Sequence, residues 1–179
     1  MDSLFLIMQN FLITPFEKVL NEEQISSLKK LATTPPDSSN DAFDEWNVTT
    51  LHPRIAEQLA ALQQQLFVRY VENNQLYKEM FPEAHGLEEL KMRKYTGDDF
   101  TIPDVDVKDL GTARRILSFV FYINKPETRG ETVFVKFQQK IEPQEAGCVV
   151  YPSSWPYMRA EHSGGGEKLV VLGYIHYVD

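Results

Sequence analysis

Two aspartates one residue apart, Asp104 and Asp106, stand in the run Ile102-Pro103-Asp104-Val105-Asp106. In a strand, residues i and i+2 face the same side. If both carboxylates enter one pocket without a cation, their charges repel and one takes up its proton more readily, which makes a general-base candidate. A Pro-Asp-x-Asp run can equally cap a turn or face water. Lys168 follows a glycine run, and Tyr95 and Tyr122 lie in strand-like segments. An ammonium at the end of a small apolar pocket, with a phenol beside it, suits a dicarboxylate. The same residue types also serve as core tyrosines and a solvated lysine. The single cysteine, in Cys148-Val149-Val150-Tyr151, reads as a buried thiol, and His176, beside Tyr177, as packed or solvent-facing. No phosphate-binding glycine loop, zinc-type Cys/His spacing or Ser/His/Asp arrangement is visible.

These residues need elements to position them. Phe11–Phe16 reads as a first strand. Asn21 caps a predicted helix over 21–32, where Glu22 and Glu23 suit the positive N-terminal end and Ile25, Leu28 and Leu31 share a face. Residues 33–45, rich in Pro, Ser and Asp, read as a loop. Pro53 opens a second predicted helix over 53–72, where Ile55, Leu59, Leu62 and Leu66 recur at intervals of 4, 3 and 4. From residue 88 short segments rich in Val, Ile, Phe and Tyr alternate with Gly, Pro and Asp clusters. They predict strands at 89–95, 100–107, 114–123, 131–137, 147–151, 155–161 and 168–177. Helices followed by many strands predict an α+β, mostly β protein, with the helices packed on one sheet. Gly164-Gly165-Gly166 reads as a hairpin turn.

At 179 residues the chain is expected to form one domain, 1–179, with a strand and supporting helices over 1–87 and the sheet core over 88–179. A hydrophobic share of 42% and a charged share of 25% are ordinary for a globular protein. The net charge of −8 argues against a nucleic-acid partner. The run Leu4-Phe5-Leu6-Ile7-Met8 is too short for a membrane span or signal segment and lacks a basic flank. With one cysteine there is no internal disulfide, so the expectation is a cytoplasmic protein.

Five motifs occur in one order: Lys94-Tyr95-Thr96-Gly97 leading to Asp104-Val105-Asp106; Arg115–Asn124 ending in Tyr122-Ile123-Asn124; Arg129-Gly130-Glu131-Thr132-Val133-Phe134; Ile141–Pro152 with Pro143, Gly147 and Tyr151-Pro152; and Gly166-Glu167-Lys168. Together they resemble the catalytic core of the 2-oxoglutarate/Fe(II) dioxygenases of the prolyl 4-hydroxylase type. The resemblance implies a double-stranded β-helix, a cupin-like jelly roll of two facing sheets. It implies 2-oxoglutarate contacts from Tyr95, Tyr122 and Lys168, and a facial triad of two imidazoles and one carboxylate around Fe(II).

The triad departs from that pattern. Asp104 stands where the family has histidine, and Asp106 keeps the carboxylate. The second histidine is expected about ten residues before the lysine; counting back from Lys168 gives Met158, or Arg159 at nine. A thioether is a weak donor and a guanidinium stays protonated. Either the iron site is lost, with neither Fe(II) nor 2-oxoglutarate bound, or a turn shortened by four residues keeps strand parity and turns His162 inward. Asp104, Asp106 and His162 would then form a harder site suited to Mn(II), Mg(II) or Ca(II). Two functional classes follow. One is a non-catalytic jelly roll that binds a protein partner or self-assembles, in a host cytoplasm or a virion if phage-encoded. The other is an oxygenase acting on a peptidyl or small-molecule substrate.

Overall fold

The computed structural model describes residues 12–97 and 99–178. The apolar run at residues 4–8, and Phe11 of the expected first strand, lie outside the described residues. The order of elements is β1 (Thr14–Phe16), α1 (Glu22–Leu31), β2 (Ser38–Ser39), β3 (Phe43–Asn47), α2 (Val48–Leu51), α3 (Pro53–Asn73), β4 (His85–Leu87), β5 (Lys91–Thr96), β6 (Arg115–Tyr122), β7 (Thr132–Phe134), β8 (Gln139–Ile141), β9 (Cys148–Pro152), β10 (Arg159–Glu161) and β11 (Glu167–Tyr177). Short 3-10 helices span Gln75–Met80 and Val135–Phe137.

The start of α1 is set by a capping box. Asn21 Oδ1 accepts from the Gln24 N–H and Gln24 Oε1 accepts from the Asn21 N–H, both at 2.9 Å; such a cap is worth about 1 kcal/mol. Pro53 occupies the first turn of α3, where its missing N–H costs nothing. The apolar stripe of α3 buries Ile55, Leu59, Leu66 and Phe67 against the sheet. One contact is unusually close: a Cβ at Gly173 on β11 would lie 2.8 Å from Gln63 Oε1 of α3, so a larger residue there would have to displace the buried end of the Gln63 side chain.

The sheets are antiparallel throughout the described pairings. The large one runs β1-β9-β6-β11-β5-β3-β2 with β4 also on β11, and the small one runs β10-β7-β8. Alternation gives the large sheet two buried faces. Leu117, Phe119, Phe121, Val150, Val171 and Ile175 pack with the helices. Val120, Tyr122, Val149, Tyr151, Val170, Leu172 and Tyr174 face inward with Phe134 of the small sheet. This is the expected two-sheet architecture with helices on one outer face.

Several expected segments differ. Within the expected loop 33–45, β2 forms and β3 begins, because Phe43 pairs across to Tyr95 and Trp46 to Met92. Segment 100–107 is not a strand: it makes only isolated bridges, Phe100 to His162 and Asp104 to Arg159, and Pro103 lacks the N–H that a ladder needs. Segment 131–137 ends as strand at Phe134 and turns. Of 155–161 only Arg159–Glu161 is strand; Ser154–Tyr157 form a turn closed by the Tyr157 N–H to the Ser154 carbonyl at 3.0 Å. No helix among the described residues is long and apolar enough to cross a membrane.

Candidate functional site

Between the sheets lies a row of four charged side chains. On β10, Arg159 and Glu161 are two residues apart and therefore share a face. Their partners across the small sheet are Phe134 and Thr132 of β7. Lys168 enters from β11, paired across the large sheet with Tyr95 of β5. Asp106 enters from the loop after β5, whose backbone is tied to the next loop by the Asp106 and Val107 N–H groups donating to the Ser153 carbonyl at 3.1 and 3.2 Å.

The row alternates in sign. Arg159 lies 3.5 Å from Asp106 Oδ1 and 2.5 Å from Glu161 Oε1, and Lys168 Nζ lies 2.5 Å from Glu161 Oε2. Exposure is 9% at Asp106, 8% at Arg159, 1% at Glu161 and 0% at Lys168, so these charges are withdrawn from water and must satisfy one another. Hydroxyls complete the set. Tyr151 and Tyr174 donate to Asp106 at 2.8 and 3.2 Å. Thr132 donates to Glu161 Oε2 at 2.8 Å and accepts from Tyr122 at 2.8 Å.

The electrostatics follow. Burial opposes ionisation of Asp106, but Arg159 and the Tyr151, Ser118 and Tyr174 hydroxyls outweigh it and hold the carboxyl below its usual range. Burial likewise opposes Glu161, and Lys168 and Arg159 outweigh it. For Lys168 burial wins, drawing the ammonium below its ordinary value against the attraction of Glu161. Burial drives the phenols of Tyr122 and Tyr151 well upward, so they act as donors and not as anions.

The sequence-predicted residues divide around this row. Asp106, Lys168 and Arg159 belong to it, Tyr122 is joined to it through Thr132, and Tyr95 is buried beside it. Asp104 is about half exposed and its carboxylate pairs with Lys108. His162 is buried, but its ring packs edge-on against Phe100 at 4.6 Å and its Nδ1 accepts from the Gly164 N–H at 2.8 Å. The inward parity on β10 is that of Arg159. His162 is three residues on and out of phase with it, whereas the four-residue correction kept His162 in phase with Met158. Met158 lies before β10 and is held through its backbone, its carbonyl accepting from the Val135 N–H at 3.0 Å. The expected Asp104/Asp106/His162 cluster is therefore not assembled, and no group of three His, Cys, Asp or Glu able to hold a metal ion occurs among the described residues. Glu161, Thr132, Tyr151 and Tyr174 are members that sequence reasoning missed; the Arg-x-Glu spacing of Arg159 and Glu161 was the available signal.

A cleft of about 260 Å³ opens above Asp106 and Arg159. Its wall cations are already matched: Arg93 lies 2.7 Å from Glu45 and over the Phe43 ring, and Arg115 lies 2.6 Å from Glu88 and over the Tyr174 ring.

No family model matches this chain, and no curated protein matches it. Solved structures do. A viral collagen prolyl hydroxylase from Paramecium bursaria Chlorella virus-1, in its 2-oxoglutarate complex, superposes with a TM-score of 0.70 at 14% identity over 94% of this chain and 97% of that one. A Pseudomonas putida prolyl-4-hydroxylase gives 0.69 at 17% identity over 96% of each chain. An oxidoreductase of the 2OG-Fe(II) oxygenase family from Burkholderia pseudomallei gives 0.68 at 11% identity over 94% of this chain and 86% of that one. At these identities the likeness establishes the fold: an α+β, mostly β jelly roll of the prolyl-hydroxylase-like 2-oxoglutarate/Fe(II) oxygenase kind. That fold implies Fe(II) and 2-oxoglutarate, and the residues present do not fit them. Asp106 is engaged by two phenols and a guanidinium, the inward position of β10 is a permanently protonated arginine, and the Lys168 ammonium is paired with Glu161.

Proposed function

We propose that this chain is a non-catalytic relative of those oxygenases that serves as a binding or assembly module. The observation that carries the reading is the Asp106-Arg159-Glu161-Lys168 row, in which side chains of the protein satisfy the groups that a metal and a dicarboxylate would need. One carboxylate already holding three donors cannot outcompete water for a divalent ion, because affinity follows ligand number. A surface role draws support from the loops after β5 and β9, joined through the Ser153 carbonyl, where Ile102 is 88%, Leu110 95% and Trp155 69% exposed. Apolar side chains concentrated on adjoining loops suit a protein partner or a second copy of the chain. The viral and bacterial neighbours and the single buried Cys148 favour a cytoplasmic or virion setting.

The test is metal analysis of protein purified without chelators, together with succinate release from 2-oxoglutarate in the presence of Fe(II) and ascorbate. The expected result is substoichiometric metal and no succinate above background. Stoichiometric iron with succinate production by the wild type would overturn the reading and restore an oxygenase; loss of both in His162→Ala would return the metal to the expected His162 site.

A further inference from the structure

We propose that Lys168, Thr132 and Arg159 form a carboxylate receptor and that its resident ligand is the protein's own Glu161. The inference rests on the non-catalytic reading, since an internal occupant leaves no room for a free dicarboxylate at the same donors.

The geometry is that of a bound ligand. The two oxygens of Glu161 take three short contacts from three strands: Lys168 of β11 at 2.5 Å, Thr132 of β7 at 2.8 Å and Arg159 of β10 at 2.5 Å. The receptor is oriented independently of its occupant. Tyr122 donates to Thr132 Oγ1 at 2.8 Å, which directs the single hydroxyl proton of Thr132 towards the carboxylate. Lys168, the second residue of the 11-residue strand β11, is held by its pairing across to Tyr95 and is 0% exposed. Lys168 forms no ion pair but that with Glu161 among the described residues. Charge-assisted contacts of this kind are the strong ones when desolvated. A buried ammonium and guanidinium without an anion between them are costly, so the receptor demands a negative occupant.

The proposal has a chemical consequence. Truncation of Glu161 to alanine keeps Cβ and removes a CH2 and a carboxylate, the non-hydrogen atoms of acetate. The vacated space keeps its donors and an unmatched positive charge. The cleft is the side from which a small anion would enter. Thr101, which accepts from the Glu161 N–H at 3.0 Å, lines the cleft with Tyr95 and Arg159. Glu161→Ala therefore becomes a receptor for small monocarboxylates, while the wild type is not one.

The experiment is thermal unfolding of wild type and Glu161→Ala at pH 7 in sodium acetate, with sodium chloride at equal ionic strength and acetamide as controls. In chloride the variant melts below the wild type. Acetate at about ten times its Kd raises the variant's Tm by roughly 3–6 °C. Chloride and acetamide do not, and the wild type shows no acetate-specific shift. Glu161→Ala/Lys168→Met loses the response. If Glu161→Ala does not fold in chloride, the same titration is read as recovery of far-UV circular dichroism on adding acetate. The proposal is overturned if neither readout of Glu161→Ala is acetate-specific, if the wild type responds as strongly, or if the double variant responds undiminished. A silent Glu161→Ala beside a metal-free, inactive wild type removes this proposal alone. Succinate release by the wild type removes both.

Discussion

Replacing Arg159 by methionine removes the central cation of the buried row while nearly keeping its volume. Asp106 would retain the Tyr151, Tyr174 and Ser118 hydroxyls but no cation, and Glu161 would retain Lys168 and Thr132. Removing one partner of a buried ion pair costs about 3–5 kcal/mol, because the other charge stays desolvated. Arg159 serves two carboxylates, at 3.5 and 2.5 Å, but each keeps other donors, so the same range of about 3–5 kcal/mol applies to the site as a whole. At about 2–4 °C per kcal/mol for a chain of this size, Tm should fall by about 6–20 °C. The pH dependence separates charge from packing. In the wild type, Asp106 and Glu161 are held below their unfolded values. Their contribution is fully present above those values, about 3.9 and 4.3, and is lost as pH falls through the lower folded values. In the variant each carboxylate loses the guanidinium that favours its ionised form, so both take up protons more readily than in the wild type, and the penalty is relieved as they do so. The deficit against wild type, measured by urea unfolding from pH 7 to 4, should be largest at pH 7 and shrink on acidification. A loss below about 1 kcal/mol at pH 7, or a deficit that does not change with pH, would refute the account of Arg159 as the charge that holds the site together.

Three further outcomes are expected. Asp104→Asn should alter the free energy of unfolding in urea by no more than about 0.5 kcal/mol, since Asp104 and Lys108 are 53% and 55% exposed at the side chain; a loss several times larger would give Asp104 a role beyond that pair. Cys148 is 1% exposed and burial pushes its thiol well above the ordinary value, so it should resist a disulfide reagent in the native state and titrate one equivalent in guanidinium. Native reactivity within minutes would contradict its placement. Gly164→Ala should cost more than the roughly 1–2 kcal/mol of a left-handed alanine, and so lower Tm by more than about 2–8 °C, because φ is +80° and the new Cβ would lie 2.3 Å from the Thr128 carbonyl oxygen; a Tm within about 1–2 °C of wild type, less than about 1 kcal/mol for a chain of this length, would show that this turn relaxes freely.

Much of the scaffold is legible locally. The α3 stripe and the β6 and β11 runs announce themselves because a period of 3.6, or an unbroken run of Val, Ile, Phe and Tyr, is enforced by burial on one or both faces. The misread segments are those decided elsewhere in the chain. Phe43 and Trp46 sit among prolines, serines and aspartates, yet β3 forms because β5 offers an edge to pair with and a hydrophobic place for both rings. Segment 100–107 carries Phe100 and Ile102 at strand-like spacing, yet Pro103 and the lack of a continuous neighbour reduce it to two bridges. Local propensity proposes, and the available partner edge decides.

The site divides the same way. Lys168 and Tyr122 were legible because single residues in ordered motifs carry their own address. Glu161 was not, because its meaning depends on which cation faces it across the two sheets. His162 was misplaced by a count that took Met158 as the inward position when Arg159 holds it, and one residue along a strand exchanges the two faces. Once that parity is corrected, the arginine and the glutamate two residues later fall on the same face, and their chemistry becomes a single statement. Asp106 faces a cation, as it would in a metal site, but the cation is a guanidinium covalently part of β10. Lys168 faces a carboxylate, as it would in a co-substrate site, but the carboxylate is also part of β10. Both replacements are carried by one three-residue strand, so a strand shift that displaced either would disturb the other, and the charge balance of the interior is fixed by the fold without any bound group.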